Sequence, residues 1–176
     1  NLRQCCRAGW FCGPVGGQVG LNGVLRWSER FAGLGVRGLT LCDTTGMAHP
    51  GQVSRMAEAL QQRFGDLQLT LHFHNTRGMG LANVVAGIKA GIDHYDGSLA
   101  GLGGCPFAPG ATGNICTEDM VNMLEDMDFD TGVDLDKLLA VAVKMPAIVG
   151  HDVTGQVMRA GKTMHLHVVP DKLYTQ

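Results

Sequence analysis

Residues 38–46 read GLTLCDTTG, and this stretch decides the fold because it joins a short apolar strand to a polar turn. A brief apolar run that ends in turn residues is typical of a strand buried on both faces. Pro50 then begins a predicted helix that ends near Phe64 and carries apolar side chains on one face. The next strand is predicted over residues 67–72. The local order is therefore strand, loop, helix, strand.

The same order recurs along the chain and predicts parallel βα units. The further expected elements are helices at about residues 18–34, 81–90, 117–127 and 135–149, and a strand at about residues 92–99. Parallel strands joined by helices form α/β folds, in which functional side chains gather at the carboxyl ends of the strands. Asp43, His72, His74 and Cys105 all lie at or just beyond such ends.

Three clear strands, and a fourth near residues 8–12, are too few for a closed eight-stranded barrel. Such a barrel takes at least about 200 residues, and this chain has 176. We therefore predict an α/β fold that is a partial TIM (β/α) barrel, made of roughly the last four βα units with parallel strands. Residues 18–150 would form this half-barrel. Residues 1–17 would be an N-terminal segment or remnant strand, and residues 151–176 a C-terminal tail.

The composition argues against several classes of protein. Apolar residues make up 45% of the chain, charged residues 17%, and the formal net charge is −2. With no broad basic field, nucleic acid is not an expected partner. No apolar run approaches the ~20 residues of a membrane span, and no signal peptide is evident. The six cysteines lack paired zinc-site spacing, so we expect reduced thiols and a cytoplasmic protein.

The segment His72-Phe73-His74 places two imidazoles on one face of a strand, because side chains alternate along it. Neutral imidazole is a common metal ligand. A glycine-rich run leads to Cys105, whose thiol could exchange a proton near such a metal, and Asn114 follows. Together these residues indicate metal-assisted carbon chemistry. The alternative interpretation is a structural histidine pair and an inert small cysteine.

Four motifs resemble the hydroxymethylglutaryl-CoA lyase family, one of the metal-dependent TIM-barrel lyases and aldolases. The motifs are DTTG at 43–46, HFHNT at 72–76, AN at 82–83, and GLGGCPFA at 101–108 continuing to GN at 113–114. The resemblance extends from about residue 18 to residue 150, and GLGGCP is its most specific part.

The resemblance implies that His72, His74 and Asn114 bind a divalent cation, Mg²⁺ or Mn²⁺. The family's fourth ligand, an Asp on the first barrel strand, has no counterpart in this sequence, and neither does the Arg beside it. Two imidazoles and an amide give the metal no anionic ligand. We therefore expect this chain to bind Mg²⁺ weakly, since that ion prefers carboxylates and water.

The resemblance also implies three catalytic side chains. Cys105 would lie on a mobile loop and exchange a proton with the substrate. Asp43 would lie near the substrate, and Glu118, one helical turn after Asn114, would hydrogen-bond at the same site. Each carboxylate has a structural alternative. Asp43 could satisfy the backbone donors of its own turn, and Glu118 could occupy the favourable first turn of a helix.

The function implied is a carbon–carbon lyase that cleaves a 3-hydroxy-3-methylglutaryl-CoA-like thioester into acetyl-CoA and acetoacetate. The expected partner is thus an acyl-CoA thioester. One alternative keeps the reaction but changes the substrate to another tertiary 3-hydroxyacyl-CoA such as citramalyl-CoA, with Arg77, Met79 and His94 as residues that could tune this choice. The other alternative is an inactive, truncated half-barrel that only associates with other chains. Its open sheet edges would favour a homo-oligomer.

Overall fold

The computed structural model describes the backbone of residues 5–9 and, in full, residues 20–104 and 110–163. Within these residues a parallel sheet has the strand order β1-β2-β3-β4. The strands are β1 (Cys5–Gly9), β2 (Gly38–Asp43), β3 (Gln68–Phe73) and β4 (His94–Asp96). The helices are α1 (Leu21–Ala32), α2 (Pro50–Phe64), α3 (Gly80–Lys89), α4 (Thr117–Asp126), α5 (Leu135–Ala142), α6 (Met145–Val149) and α7 (Val157–Ala160). The predicted partial barrel with parallel strands is confirmed.

The strand register brings the carboxyl ends of β2, β3 and β4 to one edge of the sheet. Cys42 pairs with His72, and His72 pairs in turn with Asp96. All six residues of β2 are buried, as expected for a strand covered on both faces. The polar residues that end these strands are therefore neighbours, although they are far apart along the chain.

The core lies between the strands and the helices that connect them. Five side chains of α2 are buried at helical spacing: Val53, Met56, Ala57, Leu60 and Phe64. They share one apolar cluster with Leu39, Leu41, Leu69, Leu71 and Phe73 of the sheet. A helix that buries one stripe against such a sheet gains most of its stability from this packing. The core thus fixes where each strand ends.

Several predicted elements differ in extent from the observed ones. The strand predicted over residues 92–99 is shorter, because the chain leaves the sheet and enters a single 3₁₀ turn over Leu99–Gly101. The helix predicted over residues 135–149 is two helices, and Pro146 lies in the first turn of the second, where a missing N–H costs least. The fourth strand, predicted near residues 8–12, is found at Cys5–Gly9 and pairs with β2.

The segment after α6 packs back onto α4. The Asp119 carboxylate accepts hydrogen bonds from the backbone N–H groups of Gln156, at 3.0 and 3.1 Å, and of Val157, at 2.8 Å. Val153 is buried. The first part of the predicted tail is therefore attached to the half-barrel, and the domain limits remain a prediction. None of the helices in the described ranges is long and apolar enough to span a membrane.

Candidate functional site

Two buried imidazoles stand at the carboxyl end of β3. His72 is the fifth residue of this strand and His74 follows its last residue, so the two side chains share a face, as their spacing predicts. Their ring centroids lie 5.2 Å apart and the rings are inclined at 72°. Burial, and the neighbouring His72, lower the pKa of His74. Its ring is therefore neutral at neutral pH, which is the form that binds metals.

Asn114 reaches this pair through a short antiparallel contact with the end of β3. The Asn75 N–H donates to the Gly113 carbonyl at 3.0 Å, and the Ile115 N–H donates to the Phe73 carbonyl at 3.1 Å. Gly113 makes the approach possible, since its φ is 110° and a Cβ there would lie 2.1 Å from the Gly101 carbonyl oxygen. His74 and Asn114 consequently face each other as a bridged pair.

The Asn114 amide is held in one orientation by two hydrogen bonds. Its Nδ2 donates to Ser98 Oγ at 2.7 Å and to the Leu102 carbonyl at 2.8 Å. Within residues 20–104 and 110–163, neither the buried Asn114 Oδ1 nor the buried His74 Nδ1 has a hydrogen-bond partner. Such atoms are costly unless something occupies them. The amide oxygen is a Lewis base, and so is His74 Nδ1 in the tautomer that carries its proton on Nε2.

A divalent cation fits these donors. His72 Nδ1 is hydrogen-bonded to Asp96 Oδ1, so its other ring nitrogen is the one left for a ligand. Two imidazole nitrogens and an amide oxygen suit Mn²⁺ or, more weakly, Mg²⁺, with further positions left for oxygen ligands. The described residues contain no group of three or more His, Cys, Asp and Glu side chains that could hold a metal, because the third donor here is an amide.

Asp43 lies at the end of β2, where its carboxylate closes the following turn. Its oxygens accept the Met47 N–H at 2.9 Å and the Ala48 N–H at 3.2 Å. Burial raises the pKa of Asp43, and these backbone donors and the charge of Arg77 partly offset that rise. The carboxylate is thus engaged by its own loop, and a role at the substrate remains a prediction.

Glu118 is fully buried and binds the turn that precedes the glycine-rich run. Both carboxylate oxygens accept the Ala100 N–H, at 3.0 and 3.1 Å. Ala100 has the left-handed backbone conformation, with φ 56° and ψ 18°, which is strained for a residue with a Cβ. The structure therefore shows Glu118 holding this turn. Burial raises its pKa, and its catalytic role remains a prediction.

Cys105 lies outside the described residues, which resume at Gly110. The chain is described up to Gly104, and Leu102 of the same run is bonded to Asn114. The loop that carries the predicted thiol therefore starts beside the imidazole pair.

Arg77 donates to the Thr45 and Gly46 carbonyls, at 3.2 and 3.1 Å, and joins two loops at this edge.

Sequence reasoning missed two polar side chains at the end of β4. Asp96 contacts His72, and Ser98 contacts Asn114. They are two residues apart in the predicted strand, so alternation could have placed both on one face, but it does not identify their partners. His94, named for substrate choice, is exposed and pairs with Asp93 at 2.5 Å, and its role in that choice remains a prediction.

A parallel half-barrel with imidazoles and an amide at its strand ends defines an α/β-barrel protein whose polar site is at the carboxyl edge of the sheet. A family model described as HMGL-like matches residues 11–144, and the chain belongs to this family.

Individual relatives agree with this assignment. The hydroxymethylglutaryl-CoA lyase YngG of Bacillus subtilis is 50% identical over 129 residues, which are 73% of this chain and 43% of that protein. The (R)-citramalyl-CoA lyase of Chloroflexus aurantiacus is 40% identical over 148 residues, which are 84% of this chain and 47% of that protein. The chain thus spans about half the length of the curated relatives it matches.

A solved structure shows the same architecture. The HMG-CoA lyase of Acinetobacter baumannii, in complex with coenzyme A and 3-methylmalate, superposes with a TM-score of 0.89 at 46% identity. The match covers 94% of this chain and 55% of that chain. The predicted family and the predicted fold are both confirmed.

Proposed function

We propose that this chain supplies the metal-binding half of a carbon–carbon lyase acting on a 3-hydroxy-3-methylglutaryl-CoA-like thioester. The products would be acetyl-CoA and acetoacetate. The observation that carries this proposal is a pair of buried donors beside His72 at the strand ends: His74 Nδ1 and Asn114 Oδ1, which have no hydrogen-bond partner in the described part of the chain. Membership of the HMGL-like family supports the same reaction, as do lyase relatives with up to 50% identity.

The cleavage needs a base for the tertiary hydroxyl, stabilisation of the new carbonyl and an acid for the departing carbon. His72, His74 and Asn114 would hold a divalent cation, Mg²⁺ or Mn²⁺. When bound, such a cation lowers the pKa of a chelated hydroxyl and polarises the carbonyl that forms from it. As the carbon–carbon bond breaks, its electron pair passes to the thioester enolate.

Cys105 is the proposed acid, which gives its thiol proton to the enolate carbon. The buried thiol of Cys116 is unsuited to this role, because burial and the nearby Asp119 raise its pKa to about 12. Asp43 and Glu118 are proposed to act at the same site by holding the two loops that border it, since backbone donors occupy both carboxylates. The proton of the tertiary hydroxyl would pass to one of these two carboxylates, directly or through a water molecule, as its oxygen becomes the new carbonyl.

Citramalyl-CoA is the second candidate substrate, and the (R)-citramalyl-CoA lyase relative supports it. The acyl-CoA partner, the cytoplasmic location and association with a further copy all remain predictions. Comparing turnover of the two thioesters with Mg²⁺ or Mn²⁺ present would decide which substrate is preferred. An enzyme for the first substrate should cleave hydroxymethylglutaryl-CoA at least ~10-fold faster in kcat/KM, a difference of about 1.4 kcal/mol in transition-state binding.

An inactive half-barrel is the remaining candidate. Lyase activity should be measured on the 176-residue chain and on a chain extended upstream by the residues that would complete the barrel. Activity in the longer chain alone would support the lyase and show that this half is insufficient. Cleavage of neither thioester by either chain would contradict the proposed function.

The role of Cys105 can be tested separately in whichever chain is active. Cys105→Ala should lower kcat by about 10²–10⁴-fold and leave Mn²⁺ affinity within about twofold. Cys116→Ala is the matched control and should keep most of the turnover. Equal losses of turnover and of Mn²⁺ affinity in Cys105→Ala would instead indicate a structural thiol.

A further inference from the structure

The end of β4 touches the metal-binding side chains at two separate points. Asp96, the last residue of this strand, is hydrogen-bonded through Oδ1 to His72 Nδ1. Ser98, two residues further on, accepts from Asn114 Nδ2 through Oγ at 2.7 Å. The two contacts reach donors that come from different parts of the chain. Neither Asp96 nor Ser98 offers a donor atom of its own in the proposed metal centre.

We propose that Asp96 and Ser98 are positioning residues, which orient His72 and Asn114 toward one cation. Asp96 would keep the proton on His72 Nδ1, so that Nε2 carries the lone pair for the metal. Ser98 would keep the amide nitrogen of Asn114 turned away, so that Oδ1 faces the metal. This role depends on the metal centre proposed above.

The chemistry of the donor set gives Asp96 particular weight. Imidazole and amide ligands carry no negative charge, so the donors of this chain bring none to a divalent cation. A carboxylate hydrogen-bonded to the far nitrogen of a ligating imidazole raises the basicity of that imidazole and fixes its orientation. His72 is nearly buried and Asp96 is partly exposed. The Asp96 carboxylate therefore brings a negative charge close to the proposed metal position, with the His72 ring between them.

The position of Ser98 is fixed independently by the backbone. Its N–H donates to the Ile115 carbonyl at 3.1 Å, and its carbonyl accepts from Thr117 N–H at 3.0 Å. The residues that follow Asn114 are therefore aligned against the end of β4. Because Leu102 shares the Asn114 amide, loss of the Ser98 hydroxyl should loosen the amide without freeing it.

The chain offers a matched control for the Asp–His pair. Asp93 Oδ1 lies 2.5 Å from His94 Nδ1, with both side chains at the surface. This pair has the same chemistry, but neither ring nitrogen of His94 belongs to the proposed donor set. Asp93→Asn therefore changes an equal charge close to the site, and it should leave metal binding unaltered.

The first measurement is made without metal. Nitrogen-15 chemical shifts of the imidazoles in the full chain report which ring nitrogen carries the proton. In the wild type, His72 should be the Nδ1–H tautomer. Asp96→Ala should shift it toward a tautomer mixture, whereas Asp96→Asn keeps an acceptor and should retain most of the Nδ1–H form. A His72 tautomer unchanged in Asp96→Ala would overturn the role of Asp96.

The second measurement is Mn²⁺ affinity, from the electron paramagnetic resonance signal of the free ion. Asp96→Ala should bind Mn²⁺ about 10–100-fold more weakly than the wild type, with Asp96→Asn between them. Ser98→Ala should lose several-fold, about 3–10-fold, and Ser98→Thr should restore the affinity. Equal affinities for Asp96→Ala, Asp93→Asn and the wild type would overturn the inference.

These outcomes separate this inference from the proposed function. If the wild-type chain does not bind Mn²⁺ at all, the metal centre is wrong, and the tautomer measurement still decides whether Asp96 holds His72. If the wild type binds Mn²⁺ and the β4 variants bind it equally well, the metal centre stands and the positioning role fails. Thermal unfolding of each variant shows whether the fold is intact.

Discussion

Two regions at the same edge of the sheet differ in whether their buried polar atoms have hydrogen-bond partners. After β2, the Asp43 carboxylate accepts two backbone N–H groups of its own loop, and two carbonyls of that loop accept from Arg77, which lies on the loop after β3. At the end of β3, two buried donor atoms have no partner among the described residues: His74 Nδ1, and Asn114 Oδ1 on the later segment that is bridged to His74. The polar groups of the loop after β2 have hydrogen-bond partners within the protein. The two donor atoms at the end of β3 would gain a partner only when a ligand binds.

This difference separates residues that shape the site from residues that bind at it. A buried carboxylate that closes its own turn contributes to stability. Buried imidazole and amide atoms without partners cost stability in the free protein, and a bound cation would recover that cost. Variants of the first loop should therefore change unfolding, and variants of the second should change metal binding.

The largest expected effect is on metal binding. Asn114→Ala removes the amide oxygen from the donor set. Mn²⁺ affinity should therefore fall by about 100-fold, which is the upper end of the affinity loss caused by removing a residue that only hydrogen-bonds to a ligand. Titration with Mn²⁺, followed by the signal of the free ion, measures it. Asp43→Ala is the contrasting variant and should bind Mn²⁺ as the wild type does. Similar losses in the two variants would erase the distinction between the loops.

The next effect is on stability. Asp43→Ala leaves the N–H groups of Met47 and Ala48 without their acceptor, and only Ala48 is buried. The free energy of unfolding should fall by about 2 kcal/mol, as measured by urea denaturation. Asp43→Asn keeps one acceptor and should lose about half as much. A fully stable Asp43→Ala would show that the carboxylate is available for chemistry.

The sequence could predict the sheet and the histidine pair, because both depend on simple periodicity. Apolar runs followed by turns located the strands, and alternation put His72 and His74 on one face. The glycine-rich run together with Asn114 was identified by its resemblance to a family. The structure adds the contact that brings Asn114 to the histidine pair. It is an antiparallel bridge to His74, which the spacing of residues along the chain does not predict.

What the sequence could not predict are contacts between residues that are far apart along the chain. Asp96 and Ser98 carry no motif, and their partners lie 24 and 16 residues away. Likewise, the binding of Glu118 to Ala100 depends on a left-handed turn just beyond the strand predicted over residues 92–99. Such roles follow from strand register and turn conformation, which require the tertiary structure.

A third prediction uses the pH dependence of stability, and it tests whether Glu118 belongs with the satisfied loop. Burial raises the pKa of Glu118 above its unfolded value. The folded state therefore holds its proton more tightly, and this contribution is present below the unfolded pKa and lost as pH rises through the folded pKa. Glu118→Gln cannot lose that proton.

The free energy of unfolding of Glu118→Gln should therefore rise relative to the wild type as the pH increases from about 4, since the unfolded glutamate titrates at about 4.3. Urea denaturation of both proteins across this range measures the difference. Glu125→Gln, an exposed position on the same helix, should show a flat difference. A difference for Glu118→Gln that is flat or falls with pH would mean that its ionised form is the favoured one in the fold.

The smallest effect is expected at Arg77, which joins the two loops from the surface. Arg77→Met removes its hydrogen bonds to the Thr45 and Gly46 carbonyls. Because the arginine is exposed, water can replace part of what is lost, and the free energy of unfolding should fall by less than about 1 kcal/mol. Mn²⁺ affinity should be unchanged. Arg77 itself lies on the loop after β3, and a loss of Mn²⁺ affinity in Arg77→Met larger than the loss of stability would mean that it supports metal binding and not only the loop after β2.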